Sequence, residues 1–429
     1  MTVAERPPEK GVAPFSIRGA LVLAGFAGIC LSMAMGIALL LWPAVVPGLA
    51  RLAHAHLAFA GGVVPMIAGA MLYFLPTLLR VPFREDWTIA LIAVLLIGAP
   101  IAMTLALLVG SVPLMGLGGV LILAGLLIMG WRVAVMTWQS LGPLDLNSRF
   151  YVTALLFLSA AVLFGVTMAA SPLTAIALGV SHGALRLAHI HLALAGFVGM
   201  TVIGTMHNLF PTVLGRPLAH PALARRTFLA YSTGILVLAV SFLGDLPWAR
   251  RAAALLILLS AGMLFVNVSR TAGSYPGRNA PAAHLFLGAG YFFVWVSIEA
   301  VNEFLAIHGK VIPHVLAGIT HLGLLGWLVQ TIIGAASFIL PVLLLTGGSA
   351  HPDLGVMAVK MPAMRKILQK GAVWRVAVFN TGVLVLFAGW FWSKEPNPVS
   401  VLGVLLTVGA VVHFLMAVVR VVLVARQEK

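Results

Sequence analysis

Twelve apolar runs, each long enough to cross a bilayer, decide most of what this chain can become. They fall at about 19–42, 52–79, 87–109, 112–137, 149–170, 185–214, 225–243, 249–269, 283–305, 312–345, 373–392 and 397–424. A spanning helix needs about 20 predominantly apolar residues. Hydrocarbon offers a backbone no water, so each run must satisfy its own hydrogen bonds as a helix. Only 9% of the 429 residues are charged, against about 25% in an ordinary soluble domain. So few charges cannot cover a water-soluble surface, and 61% from the set AVILMFWYC excludes a disordered chain. The expected fold is all-α and integral to the membrane, one domain over residues 1–429. Residues 1–18 are polar and the first run is long enough to span, which does not read as a cleavable signal peptide. The single cysteine, Cys30, lies in the first run. It excludes an internal disulfide, a Cys-based zinc or iron–sulfur centre, and the Cys-x-x-Cys-His of c-type haem.

The net charge of +15 invites a nucleic-acid partner, but its distribution argues against one. With twelve spans both termini lie on one side. That side holds 20 of the 26 Lys and Arg, among them Arg80, Arg84, Arg216, Arg225, Arg226, Lys360, Arg365, Lys366 and Lys370. The other side holds Arg51, Arg186, Arg250, Arg251, Lys310 and Lys394. The positive-inside rule then puts both termini in the cytoplasm of a bacterial-type inner membrane. The implied partner is the lipid bilayer. The longest inner loop, about 346–372, is moderately basic and suits the membrane surface.

Three stretches align without gaps: RLAHAHLAFAGGVVPMIAGAMLYFLPTLL from Arg51, RLAHIHLALAGFVGMTVIGTMHNLFPTVL from Arg186, and ITHLGLLGWLVQTIIGAASFILPVLL from Ile319. Counted from His56, His191 and His321, a Gly follows at +5 (Gly61, Gly196, Gly326), another at +13 (Gly69, Gly204, Gly334), and a Pro at +20 (Pro76, Pro211, Pro341). The copies stand 135 and 130 residues apart, on runs 2, 6 and 10. The repeating unit is therefore four helices, about 17–140, 145–270 and 280–429, arranged most simply about a pseudo-threefold axis. Small residues that let membrane helices approach account for the glycines. Helix ends near proline account for the prolines.

The histidines ask for more. His54, His56, His189, His191 and His321 occupy matching positions on three runs, and an ionisable group in a membrane helix marks a functional site by default. Residues i and i+2 point about 200° apart, so the two histidines of a pair face different neighbours. In a threefold ring each inter-helix pocket then receives the second His of one helix and the first of the next. The third copy has Ile319 at the first position, so the ring lacks one ligand. Two imidazoles from facing helices suit haem iron. Zinc or copper alone would want three or four ligands.

On these residues the chain resembles the haem–copper oxidase subunit I superfamily, whose twelve helices form three four-helix arcs with haem ligands on helices 2 and 10. His321, Gly334, Phe338 and Pro341 resemble its helix-10 pattern, and His54 or His56 its low-spin haem ligand. The nearest relatives in style are the cbb3-type oxidases, nitric-oxide-reductase large subunits and nitric-oxide-response haem membrane proteins. The family's helix 10 usually carries His-x-His, where Ile319 stands here. Its copper site needs a His on helix 6 and a His-His pair on helix 7, and the seventh run has no histidine. The resemblance implies haem b, one or two per chain, with a copper site in doubt. Its pairing puts His321 with His54. The cyclic argument then pairs His56 with His189 and leaves His191 facing Ile319.

Arg51 and Arg186, three residues before the first His of each pair, suit haem propionates, which arginine binds as a bidentate fork; interfacial snorkelling is the alternative. Glu299 and Glu303, near the outer end of the ninth run with Asn302 between them, are candidates for a proton relay or pocket, or for pairing with Lys310. His314, seven before His321, lies on the same face. His207 and His413 read as structural. The expected function is a redox protein handling nitric oxide or oxygen, or transferring electrons, with a quinol or another redox protein as donor. The alternatives are a non-catalytic haem and nitric-oxide-binding stress protein, and a metal or haem transporter.

Overall fold

The protein, seen in a computed structural model, is described over residues 16–42, 49–83, 85–140, 142–170, 179–305, 313–346, 354–392 and 397–427. All regular elements among these residues are helices. Twelve are long and apolar enough to span a membrane. We label them α1 (Ile17–Leu41), α2 (Ala50–Leu79), α3 (Trp87–Leu108), α4 (Val112–Gln139), α5 (Leu146–Ala170), α6 (His182–Leu214), α7 (Pro221–Leu243), α8 (Pro247–Ala272), α9 (Ala280–Phe304) and α10 (Val315–Thr346, with its first turn from Pro313). After α11 (Leu354–Gln369) come α12 (Ala372–Trp392) and α13 (Pro398–Arg426). The basic loop expected at about 346–372 thus contains a helix of its own, α11, packed on α10 and α13.

Capping residues set several starts. Ser16, Asp86, Ser181, Asn279 and Asn397 each accept a first-turn backbone N–H, which satisfies donors that no helix can pair internally. Asp86 does more than cap. It accepts from Thr88 Oγ1 and meets Arg132 of α4 at 2.9 Å. The Thr88 hydroxyl, chiefly, and Arg132 hold its carboxyl below the usual range near 3.8. A carboxylate depressed in the fold contributes stability above its unfolded pKa and loses it as pH falls through the folded one. Thermal stability is therefore expected to drop as the pH is lowered below about 4. Asp86→Ala should cost about 1 kcal/mol at neutral pH and flatten that part of the melting-temperature profile.

Helices α2, α6 and α10 share an internal plan. Each widens to a π-helix just after its last repeat histidine (His56, His191 or His321), at Phe59–Val63, Leu192–Gly199 and Leu322–Val329. Glycines in these stretches receive a neighbouring helix or ring. A Cβ on Gly28 of α1 would land on the Gly61 carbonyl, and one on Gly326 would lie 2.6 Å from the Tyr291 ring. Tyr231 of α7 donates to the Ala195 carbonyl at 2.9 Å. Pro76, Pro211 and Pro341 lie inside the final turns rather than ending the helices. In α2 and α6 the left-handed residues Arg80 and Gly215 close the helix by donating to the carbonyls of Pro76 and Pro211.

Neighbour relations repeat as well. The histidine-bearing helix touches the helix before it and the next span after it: α2 with α1 and α3, α6 with α5 and α7, α10 with α9 and α12. The fourth span of one sequence unit meets the first of the next at α4–α5 and α8–α9. Phe414 of α13 reaches Phe26 of α1 at 6.2 Å. At the ends away from the histidines, α2, α5, α6 and α10 enclose a cavity of about 240 Å³. Counted from His56, His191 and His321, its wall takes positions +17 (Tyr73, Asn208, Phe338), +18 (Phe74, Leu209, Ile339) and +21 (Thr77, Thr212, Val342).

Candidate functional site

All five histidines of the repeat lie near the N-terminal ends of α2, α6 and α10, and all are half-buried. They share one polarity. His54 Nδ1 lies 2.8 Å from the Ser32 carbonyl of α1, and His189 Nδ1 lies 2.7 Å from the Ala161 carbonyl of α5. His56, His191 and His321 turn Nδ1 back along their own helices to the carbonyls of Leu52, Leu187 and Ala317, at 2.9, 2.8 and 2.7 Å. A carbonyl only accepts, so each Nδ1 carries the proton and each Nε2 keeps its lone pair. Ligating imidazoles usually have this arrangement, one nitrogen tied to a carbonyl and the other free for metal.

The first histidine of each pair is also seated by a glycine on the preceding helix. A Cβ on Gly36 would come within 2.9 Å of His54 Cε1, and one on Gly165 within 3.1 Å of His189 Cε1. Gly36 is four residues after Ser32, and Gly165 four after Ala161. Carbonyl and seat are thus one turn apart on α1 and again on α5. Ser32 adds a hydroxyl 3.0 Å from His54 Nδ1.

Across helices, His56 and His189 come together, with ring centres 6.3 Å apart and planes 23° from parallel. His321 and His54 lie within electrostatic reach of one another. Among the described residues, His191 has no histidine opposite. Its ring meets Phe242 of α7 at 4.8 Å, while Ile319 is buried. His321 also stacks on Trp390 of α12, at 6.2 Å and 12°. Phe242 and Trp390 carry no sequence signal that distinguishes them from packing aromatics. Ser32, Gly36, Ala161 and Gly165 are visible only once α1 and α5 are known to back these rings.

Arg51 and Arg186 are exposed on the outer flanks of α2 and α6. Glu299 and Glu303 are half-buried near the end of α9, with Asn302 buried between them. Glu303 meets Arg250 of α8 at 3.6 Å. Lys310, its expected partner, lies outside the described residues, as do Arg84, His308, His351 and Lys394. His314 is in the first turn of α10, but its side chain is not among those described. His207 donates from Nδ1 to the Ile203 carbonyl at 2.9 Å and stacks on Phe150. His284 is fully buried against Phe379 in the first turns of α9. Among the described residues, no three His, Cys, Asp or Glu side chains are grouped to hold a metal ion.

The site therefore offers one facing pair of imidazoles, His56 and His189, and a second histidine, His54, within electrostatic reach of His321, in a half-buried setting beside Phe242 and Trp390. No protein-family model and no curated protein matches the chain.

Proposed function

We propose that this chain is a haem b-binding membrane redox protein, built as three four-helix units about a pseudo-threefold axis on the haem–copper oxidase subunit I-like plan. The repeated π-helices and the cavity wall drawn from equivalent positions support the threefold arrangement. The charge asymmetry supports a cytoplasmic location for both termini.

The His56–His189 pair carries the haem reading. Imidazole–metal bonds are about 2 Å long, so two imidazoles ligating one iron from opposite sides have ring centres about 6 Å apart. The rings stand at 6.3 Å with their planes near parallel, and both keep Nε2 free. The residues thus fit the group. His56 and His189 would hold the iron, while the carbonyls of Leu52 and Ala161 fix their tautomer and Gly165 leaves room for the His189 ring. Arg51 and Arg186 meet the propionates at the exposed edge. His54 and His321 form the second candidate pair, braced by Ser32 and Trp390. A bound haem supplies a one-electron couple and, where an axial place is open, a site for nitric oxide or oxygen. Electrons come from a quinol or a protein donor. Copper has the weaker claim, because the ligands come in twos.

One observation favours a second reading, a non-catalytic nitric-oxide-binding protein. His191 faces the apolar Phe242 ring rather than another ligand, as a single-histidine gas site would. A reduced-minus-oxidised spectrum with pyridine haemochrome and metal analysis tests both. Low-spin bands are expected, and a high-spin fraction shifted by nitric oxide would select the second reading. Colourless protein after expression with ample haem would refute haem binding and return the function to transport.

A further inference from the structure

We propose that the start of α12 is a binding site for the phosphate of an anionic phospholipid, held between the α11–α12 turn and α13. The starting point is Arg375, which is only 3% exposed. Between Leu354 and Gln427 the sequence has eight Lys and Arg and a single acid, Glu395, which lies outside the described residues. Among the described residues no acid meets Arg375, whose guanidinium lies over the Phe414 ring at 5.3 Å, and a buried cation in a membrane bundle is costly and marks function by default. Elsewhere the fold supplies an acid at such a place: between α3 and α4, Arg132 is met by Asp86 at 2.9 Å.

Arg375 Nη2 donates to the Leu368 carbonyl of α11 at 3.0 Å, Nη1 lies 3.4 Å from His413 Nδ1, and Nε is buried without a partner. A guanidinium only donates, so His413 Nδ1 accepts. A neutral His413 then carries its proton on Nε2, beside Gly371. A Cβ there would lie 3.3 Å from that nitrogen, and the backbone is left-handed at φ 67°. Glycine serves both needs. It also has no side chain to cap the first N–H groups of α12, which keep their affinity for an anion.

His413, Lys370 and Arg420 are exposed around this point. The next residues, Val373 and Trp374, are 56% and 77% exposed. An exposed Trp beside a basic cluster belongs at the membrane interface. An apolar approach next to these clustered donors suits a lipid better than a free ion. This inference does not depend on haem.

The test uses the purified full chain in vesicles of phosphatidylglycerol, of phosphatidylcholine, and of phosphatidylcholine with inorganic phosphate. Phosphatidylglycerol should raise the melting temperature above that in phosphatidylcholine, and native mass spectrometry should retain one such lipid. Arg375→Gln, His413→Gln and Arg420→Gln should each weaken that retention about fivefold and leave any haem spectrum unchanged. His413→Gln and Arg420→Gln change exposed side chains, so they keep the test open if Arg375→Gln fails to fold. Equal melting in both lipids, or full retention in both surface variants, would overturn the proposal. An equal shift from inorganic phosphate would overturn the lipid assignment in favour of a free anion.

Discussion

Alanine at His56 or at His189 is expected to remove one entire low-spin haem signal, and alanine at both to remove no more than either alone. The two rings stand 6.3 Å apart across the α2–α6 boundary, so they form one site rather than two. If His56 and His189 hold one haem iron as proposed, losing either would leave a single imidazole to it, and a low-spin band would need both. His321→Ala should leave this signal intact and remove the one that depends on His54, because that pair is contributed by α2 and α10. Independent loss in the two sets would establish two haems; simultaneous loss of all absorbance in every variant would mean one site or a collapsed fold. Gly165→Val reaches the same site from behind. A Cβ at 3.1 Å from His189 already crowds the ring, and a branched side chain would turn it away from His56. Disturbing such a support typically weakens metal binding about 10–100-fold, which haem titration of the purified variant would read. His191→Ala should leave both low-spin signals and alter only a gas-reactive component.

Much of this arrangement is legible in the sequence. Span number follows from run length, because a bilayer permits little besides helices. The alignment of His56, His191 and His321 followed from exact residue offsets. The His56–His189 juxtaposition followed from the 200° between i and i+2 together with the assumed ring of helices. Other features left no trace. The π-helices are backbone events, and Phe59–Val63 reads like any apolar stretch until Gly61 and Gly62 are seen against α1. Phe242 and Trp390 look like ordinary membrane aromatics. Arg375 looks like one more basic residue at a loop edge, since sequence does not say that it is buried with no acid meeting it among the described residues. His284, near the start of α9, is buried against Phe379 of α12 and Gly334 of α10, neighbours distant in sequence.

Gly28→Val is expected to be the most damaging substitution outside the histidines. Helices α1 and α2 cross backbone to backbone. A Cβ on Gly28 would fall on the Gly61 carbonyl, and one on Gly25 would lie 2.6 Å from the Gly62 carbonyl. Nothing there is a flexible side chain that could move aside, so the helices themselves must part. Membrane helices associate by close packing rather than by expulsion of water, so a parted crossing loses most of what holds it. Overpacking usually costs about 1–3 kcal/mol, and a backbone-on-backbone collision belongs at the top of that range or above. The loss should not stop at stability. Ser32 and Gly36, the carbonyl and seat for His54, lie four and eight residues further along the same helix. Displacing α1 therefore withdraws the support of His54 before the protein unfolds. The His54–His321 signal should fade at temperatures where the His56–His189 signal persists. Gly98→Val and Gly130→Val, where an added Cβ meets nothing within 4 Å, should leave both melting and spectrum close to the parent. Equal behaviour of Gly28→Val and Gly98→Val in a melting series would refute the close-crossing account, and with it the route by which α1 positions the ligand.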